Sequence, residues 1–275
     1  QDEYFRGFMM KVVILAGGLG TRMGDENELR MKAMVEIDGK PIIWHLMQFF
    51  SNQGFTDFLI ATGRQGDQIK RFFAEYAVLQ GDLSINLGTG EVIRHSLHQQ
   101  PWHVQIIDTG NLTQTGGRIK RLAPKIGSET FLLSWVDSLT TINIHDLIAF
   151  HNQHGRAATV SVVRPVARYG VLDFDGDRIT SFKIQPQFDE GWMNGGFYVL
   201  EPEIFDLLAD DQTVWEGEPL AALAAEGNLY AYRHFGFWYC LDTSRDRFIL
   251  EKMCQQGTAP WLEKLENQYA HINHG

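Results

Sequence analysis

The sequence predicts an α/β fold, a Rossmann-like, mostly parallel central sheet flanked by helices, with a smaller antiparallel extension. Short β-branched runs alternate with helix-length amphipathic segments from Lys11 to Val163, the signature of right-handed βαβ units. The first of these runs breaks into a glycine-rich turn, where open α/β sheets place anionic ligands. With 275 residues, 44% of them hydrophobic and 21% charged, the chain can bury a sizeable core and is not disordered by composition.

In chain order, KVVILA is a β-branched strand closed by glycine, and the helix-like PIIWHLMQFFSNQG leads to a second strand in residues 55–63. DQIKRFFAEYAVL is a helix with an apolar face, followed by the strands WHVQIIDTG and TFLLSWVD. HDLIAFHNQHG is a helix closed by glycine, and AATVSVV, GVLDFD, FYVL and LYAYRHFGFWYCLD are further strands, with PEIFDLLADD a helix between them. The second half has more short strands than helices, which predicts the antiparallel extension. Residues 10–275 read as a single domain, and residues 1–9 as an N-terminal extension or a cloning remnant with Met10 the natural start.

The formal net charge of −10 opposes a nucleic-acid or membrane-surface partner, because either demands a basic face. Cys240 and Cys254 form no CxxC pair, so a reducing cytoplasm is the expected setting. No apolar run approaches the roughly 18 residues of a membrane span, and QDEYFRGFM lacks the apolar stretch of a signal peptide.

The loop in KVVILAGGLGTRMG fails two templates. A dinucleotide fingerprint finds Gly18 and Gly20, but Met23 holds its third position and Gly24 falls one place late. A phosphate loop of the Lys-Ser type finds Arg22 five places after Gly17 instead. What remains is the physics both share: glycine lets backbone amides approach an anion, and a guanidinium suits a polyphosphate.

AGGLGTRM, Lys32 and MVEIDGKPIIWHLM, then DTG, TGGRIKR, WMNGGFYVL, WEGEPL and GFWYCLDTSRD, follow one another in the chain. In that order they resemble the sugar-phosphate nucleotidyltransferases, most closely the glucose-1-phosphate cytidylyltransferases, from Met10 to about Trp261. The resemblance implies attack by a phosphate-monoester oxygen on the α-phosphorus of CTP, with pyrophosphate leaving and a CDP-activated product such as CDP-glucose, which would feed deoxysugar or cell-surface polysaccharide synthesis. Because a phosphate monoester with a second pKa of about 6 arrives largely ionised, such an enzyme needs no general base. Its work is positioning and charge neutralisation.

Asp137 and Asp242 each close an apolar run, so both are expected at carboxyl ends of strands, and the resemblance makes them the ligands of a catalytic Mg²⁺. It also implies that Leu15, Ala16, Gly17, Gly18, Gly20 and Thr21 cradle the nucleotide. Arg22 would hold the leaving phosphates and Lys32 the α-phosphate, with Thr113 and Arg118 near the nucleotide. Asn194 and Gly195 match the sugar-binding turn. A segment at about 86–121 resembles an insertion for nucleotide binding and oligomer contacts, so a homo-oligomer is expected, with a hexamer the first guess. Histidines 95, 98 and 103 do not read as a metal set, and His45 is expected to be packed and hydrogen-bonded.

Three departures stand out. Arg30-Met31-Lys32-Ala33 lacks both prolines of the resembling pattern, and Val136 replaces a glycine before Asp137. Ile184-Gln185-Pro186 puts a neutral amide where that pattern has a lysine on the acceptor phosphate, a loss of about 1.5–3 kcal/mol for one charge-assisted bond. Lys183 and Arg168 are the nearby cations that would take over. The reading is an Mg²⁺-dependent cytidylyltransferase acting on a phosphorylated acceptor such as glucose 1-phosphate. Its alternatives are another phosphorylated or phosphonate acceptor and a degenerate nucleotide-binding regulatory subunit, while a nicotinamide-dependent dehydrogenase is disfavoured by the missing third glycine.

Overall fold

A computed structural model describes residues 10–18, 31–79, 82–95, 100–164, 171–175, 178–183 and 191–263. Its strands are β1 (Val12–Leu15), β2 (Glu36–Ile37), β3 (Lys40–Pro41), β4 (Asp57–Thr62), β5 (Asp82–Asn86), β6 (Glu91–His95), β7 (His103–Asp108) and β8 (Phe131–Trp135). They continue as β9 (Ser138–Thr140), β10 (Ala158–Val163), β11 (Val171–Asp175), β12 (Arg178–Lys183), β13 (Met193–Leu200), β14 (Leu229–His234) and β15 (Trp238–Cys240). The α-helices are α1 (Ile42–Ser51), α2 (Gly66–Leu79), α3 (Thr115–Ile126), α4 (Ile144–His154), α5 (Glu218–Ala225) and α6 (Ser244–Gln255).

Seven strands form the central sheet in the order β14-β10-β13-β8-β1-β4-β7. β1 runs parallel to β4 and β8, β4 to β7, and β10 to β14, while β13 is antiparallel to both of its neighbours. The antiparallel extension takes the form of β13 inside this sheet and of separate ribbons, β11 with β12 and β9 with β15. LYAYRHFGFWYCLD, read as one strand, divides between β14 and β15. The break falls at Gly236, where a Cβ would meet Thr141 Oγ1 at 2.7 Å.

Because both faces of the sheet are covered, its inner strands read as unbroken apolar runs. Val12 and Ile14 pack with α1 on one face, and Val13 and Leu15 pack with α3 on the other. Asn143 caps α4 by accepting from His145 and Asp146, and Thr243 with Asp246 forms a reciprocal capping box that starts α6. PEIFDLLADD makes only a 3₁₀ turn, Pro202–Leu207, rather than a full helix.

β13 and β10 lose register midway: Tyr198 faces Val160, but the next registered pair, after two residues of β10, is Val162 with Asn194. β13 thus spends two extra residues at Gly195-Gly196. At Gly195 a Cβ would stand 2.7 Å from Ser161 Oγ, and Gly196 has φ +80°. His45 is buried as expected, its Nε2 against the Ile37 carbonyl at 2.8 Å and its Nδ1 accepting from Trp261 at 3.3 Å.

Candidate active site

At the carboxyl edge of the sheet a cavity of about 410 Å³ is lined by Leu15 to Gly18 after β1, Met31 to Ala33, Asn111 to Thr115, Arg118, and Trp135 to Asp137 after β8. The sequence-predicted residues Leu15, Ala16, Gly17, Gly18, Lys32, Thr113, Arg118 and Asp137 all line it. Gly20, Thr21, Arg22, Arg168 and Gln185 lie outside the described residues, and Lys183 is the last residue of β12. The cavity wall also includes Thr115, the first residue of TGGRIKR, and Asn111, Leu112, Gln114 and Trp135, which no motif named as site residues.

Three charged groups from distant parts of the chain meet beside the cavity. Lys32 Nζ donates to Asp137 Oδ2 at 2.6 Å and to Asp242 Oδ1 at 2.8 Å. Burial alone disfavours the ammonium, but Asp137 and Asp242 outweigh it, and the Lys32 pKa lies above the ordinary lysine value. Asp242 follows β15, whose pairing with β9 sets Cys240 opposite Ser138 and carries Asp242 to Asp137. Asp242 N also donates to Asp246 Oδ2 at 3.1 Å, so the α6 cap holds the loop that carries Asp242.

Oxygen donors from Asp137 and Asp242 and the sulfur of Cys240 lie within 4.8 Å of one another. Hard carboxylate oxygens suit a divalent cation that keeps phosphate oxygens and water as its other ligands. Burial pushes the Cys240 thiol up to about 12, with Asp137 adding to the effect, so near neutral pH it sits there protonated. Its place in the cluster could not be read from the sequence, because it depends on the β9–β15 register. The histidines go elsewhere: His95 Nε2 meets Ser84 Oγ and His103 Nδ1 meets Asp57 Oδ1, both at 2.8 Å, while His98 lies outside the described residues.

Arg118, on the first turns of α3, is only 5% exposed. Its Nη1 donates to the Thr62 carbonyl at 2.9 Å, Thr109 Oγ1 at 2.7 Å and the Gly110 carbonyl at 2.8 Å, and its Nη2 to the Gly17 carbonyl at 3.1 Å. One guanidinium therefore ties together the end of β4 and the segments that follow β1 and β7. Burial lowers its pKa, with Asp108 acting the other way.

Asn194 is the second residue of β13. Its Nδ2 donates to the Tyr198 hydroxyl at 2.6 Å and its Oδ1 accepts from Gly196 N at 2.8 Å. The Gly195 carbonyl accepts from Trp238 Nε1 at 2.7 Å. Trp215 is fully buried against Tyr198, ring centroids 5.9 Å apart, and Glu216 accepts from Thr115 Oγ1 at 2.6 Å.

A model of the nucleotidyl transferase family matches residues 11–233. The glucose-1-phosphate cytidylyltransferase of Salmonella typhi is 43% identical over 253 residues, covering 92% of this chain and 98% of the relative. Among solved structures, that of HddC from Yersinia pseudotuberculosis superposes with a TM-score of 0.66 at 25% identity, covering 90% of this chain and all of that one. The inositol-1-phosphate CTP transferase from T. maritima matches with a TM-score of 0.62 at 14% identity over 93% of this chain and 97% of its own, a likeness of fold alone. No helix among the described residues is long and apolar enough to cross a membrane.

Proposed function

The chain belongs to the nucleotidyl transferase family, and from that premise we propose that it transfers CMP from CTP to a phosphorylated small molecule of the sugar 1-phosphate class, glucose 1-phosphate being the reference acceptor. One observation carries the reading. Lys32, Asp137 and Asp242, far apart in sequence, converge at a cavity whose other wall is the glycine loop after β1. The near full-length identity to a glucose-1-phosphate cytidylyltransferase supports the choice of CTP and of that acceptor class. We treat residues 10–275 as one catalytic domain.

The cavity brings two polyanions together without a proton-abstracting group. The acceptor phosphate is already ionised, so what the protein supplies is alignment and neutralisation. Backbone after β1 faces the nucleotide, and Arg118 fixes the direction of that backbone through the Gly17 carbonyl. Lys32, cationic across the neutral range, is placed to neutralise the α-phosphate. Asp137 and Asp242 fit Mg²⁺, which when bound neutralises phosphate oxygens of the nucleotide. Arg22 takes the leaving pyrophosphate, and Asn194 reads acceptor hydroxyls. The exposed apolar residues Ile85, Val92 and Ile93 of the β5–β6 hairpin support an oligomer built through the inserted segment, and a hexamer remains the first assembly to test.

Incubation with CTP, Mg²⁺ and a panel of phosphorylated acceptors should release pyrophosphate with at least one of them. Tight CTP binding with no pyrophosphate from any acceptor would instead favour a regulatory nucleotide-binding protein.

A further inference from the structure

Beyond the cavity the same face of the sheet continues outward through β13, β10 and β14. Leu15, Trp135, Tyr198 and Val162 all pack on the α3 side. The register sets Val162 opposite Asn194 on one side and opposite Arg233 on the other. Directly paired residues share a face, so Arg233 stands on the acceptor face, two strand steps beyond Asn194, or about 10 Å at roughly 4.8 Å per step. From Trp135, beside the reacting centre, it is three steps, about 14 Å.

Arg233 is not alone there. Its guanidinium carbon lies 5.7 Å from the Trp192 ring centroid, and that of Arg164, the residue after β10, lies 4.6 Å from the same centroid. Phe235 meets Trp192 edge-on at 5.3 Å while remaining 72% exposed. Among the described residues neither guanidinium joins an ion pair, and Arg164 Nε is buried with no hydrogen-bond partner. Two like charges on one ring in a chain of net charge −10 repel each other. Such an arrangement is relieved by an anion, and aromatic faces hold guanidiniums in place for one.

We propose that Arg164 and Arg233, held on Trp192, form a subsite for a second anionic group at the far end of the acceptor, opposite the phosphate that reacts. The inference rests on the cytidylyltransferase reading and narrows its substrate to an acceptor that carries a second anionic group besides the reacting phosphate. The subsite lies too far from Asp137 to serve the reacting phosphate, so it recognises a carboxylate or a second phosphate. Either presents the paired oxygens that a guanidinium fork accepts.

Calorimetric binding and pyrophosphate release are measured with three probes: glucose 1-phosphate, glucose 1,6-bisphosphate and glucuronic acid 1-phosphate. The wild-type protein should bind one of the two probes that carry a second anionic group about tenfold more tightly than glucose 1-phosphate, and which one identifies the second anion. Arg233→Ala and Arg164→Ala should reduce that preference to about twofold or less, whereas Arg233→Lys keeps the charge and should retain part of it. Equal affinity for all three probes in the wild type, or a preference that survives both alanine variants, overturns the subsite. If pyrophosphate appears in that case, the cytidylyltransferase reading stands alone. If the preference is seen and lost as described but no probe gives pyrophosphate, the subsite stands and the transfer reading falls.

Discussion

Replacing Gly17 by alanine tests how tightly Arg118 is fixed. A Cβ at Gly17 would lie 2.6 Å from Arg118 Nη1 and closer still to its Cζ and Nε, where 3.4 Å begins ordinary contact. The guanidinium must therefore move by about 1 Å or more, and its bonds of 2.7–3.1 Å cannot all survive such a shift. Losing two bonds from a buried charge, at about 1.5–3 kcal/mol each, costs roughly 3–6 kcal/mol. At about 2–4 °C per kcal/mol for a chain of this size, Tm falls by roughly 6–24 °C. The backbone itself does not oppose alanine, since Gly17 is not in the left-handed region. Urea unfolding of Gly17→Ala, Arg118→Ala and the double variant closes the cycle. Without the guanidinium the methyl has room, so the double variant should be within about 1 kcal/mol of Arg118→Ala. Two single costs that simply add would show that the clash is relieved elsewhere and that Arg118 is not the fixed point.

Asp242→Ala should abolish pyrophosphate release at saturating Mg²⁺, and retained turnover would remove Asp242 from the metal set. Cys240, its thiol pushed up to about 12 by burial, should react with iodoacetamide at pH 8 about thirtyfold more slowly than an ordinary cysteine, as followed by mass spectrometry; alkylation at the rate of a model thiol would contradict that environment. His45, whose pKa is lowered by burial, stays neutral in the fold while the unfolded chain takes up a proton below about pH 6.5. Its contribution is present above that pH and lost as pH falls, by at most about 1.4 kcal/mol per unit. Denaturant curves at pH 7 and 5 should show a smaller loss for His45→Gln than for wild type, and equal losses would refute the assignment.

The central strands were legible because burial on both faces leaves runs such as VVIL and FLLSW with no polar alternation to obscure them. Helix α3 was not, since Gly116, Gly117 and Pro124 all argue against a helix. Tertiary packing explains the glycines: a Cβ would stand 2.8 Å from the Thr213 carbonyl oxygen at Gly116 and 2.6 Å from Asp211 Cα at Gly117. Asp137 and Asp242 could be named because an aspartate closing an apolar strand is a local feature. Cys240, Arg164, Trp192 and Arg233 could not, because each acquires its partners only through the register of separate strands. Arg118 was named from the sequence and lines the cavity, but its four bonds to the end of β4 and to the segments after β1 and β7 depend on loops brought together by the sheet.

The slip between β13 and β10 has an arithmetic consequence. Four residues of β13 span the stretch that two residues of β10 cover, from the Tyr198–Val160 pair to the Asn194–Val162 pair. The surplus is even, so alternation of side chains across the sheet is conserved through the irregularity. An odd surplus would turn Asn194 toward the α1 side and leave Arg233 facing the cavity's continuation with no amide beside it. Because the glycine pair adds length without inverting the strand, the inner and outer halves of β13 can differ in spacing and still present one unbroken surface.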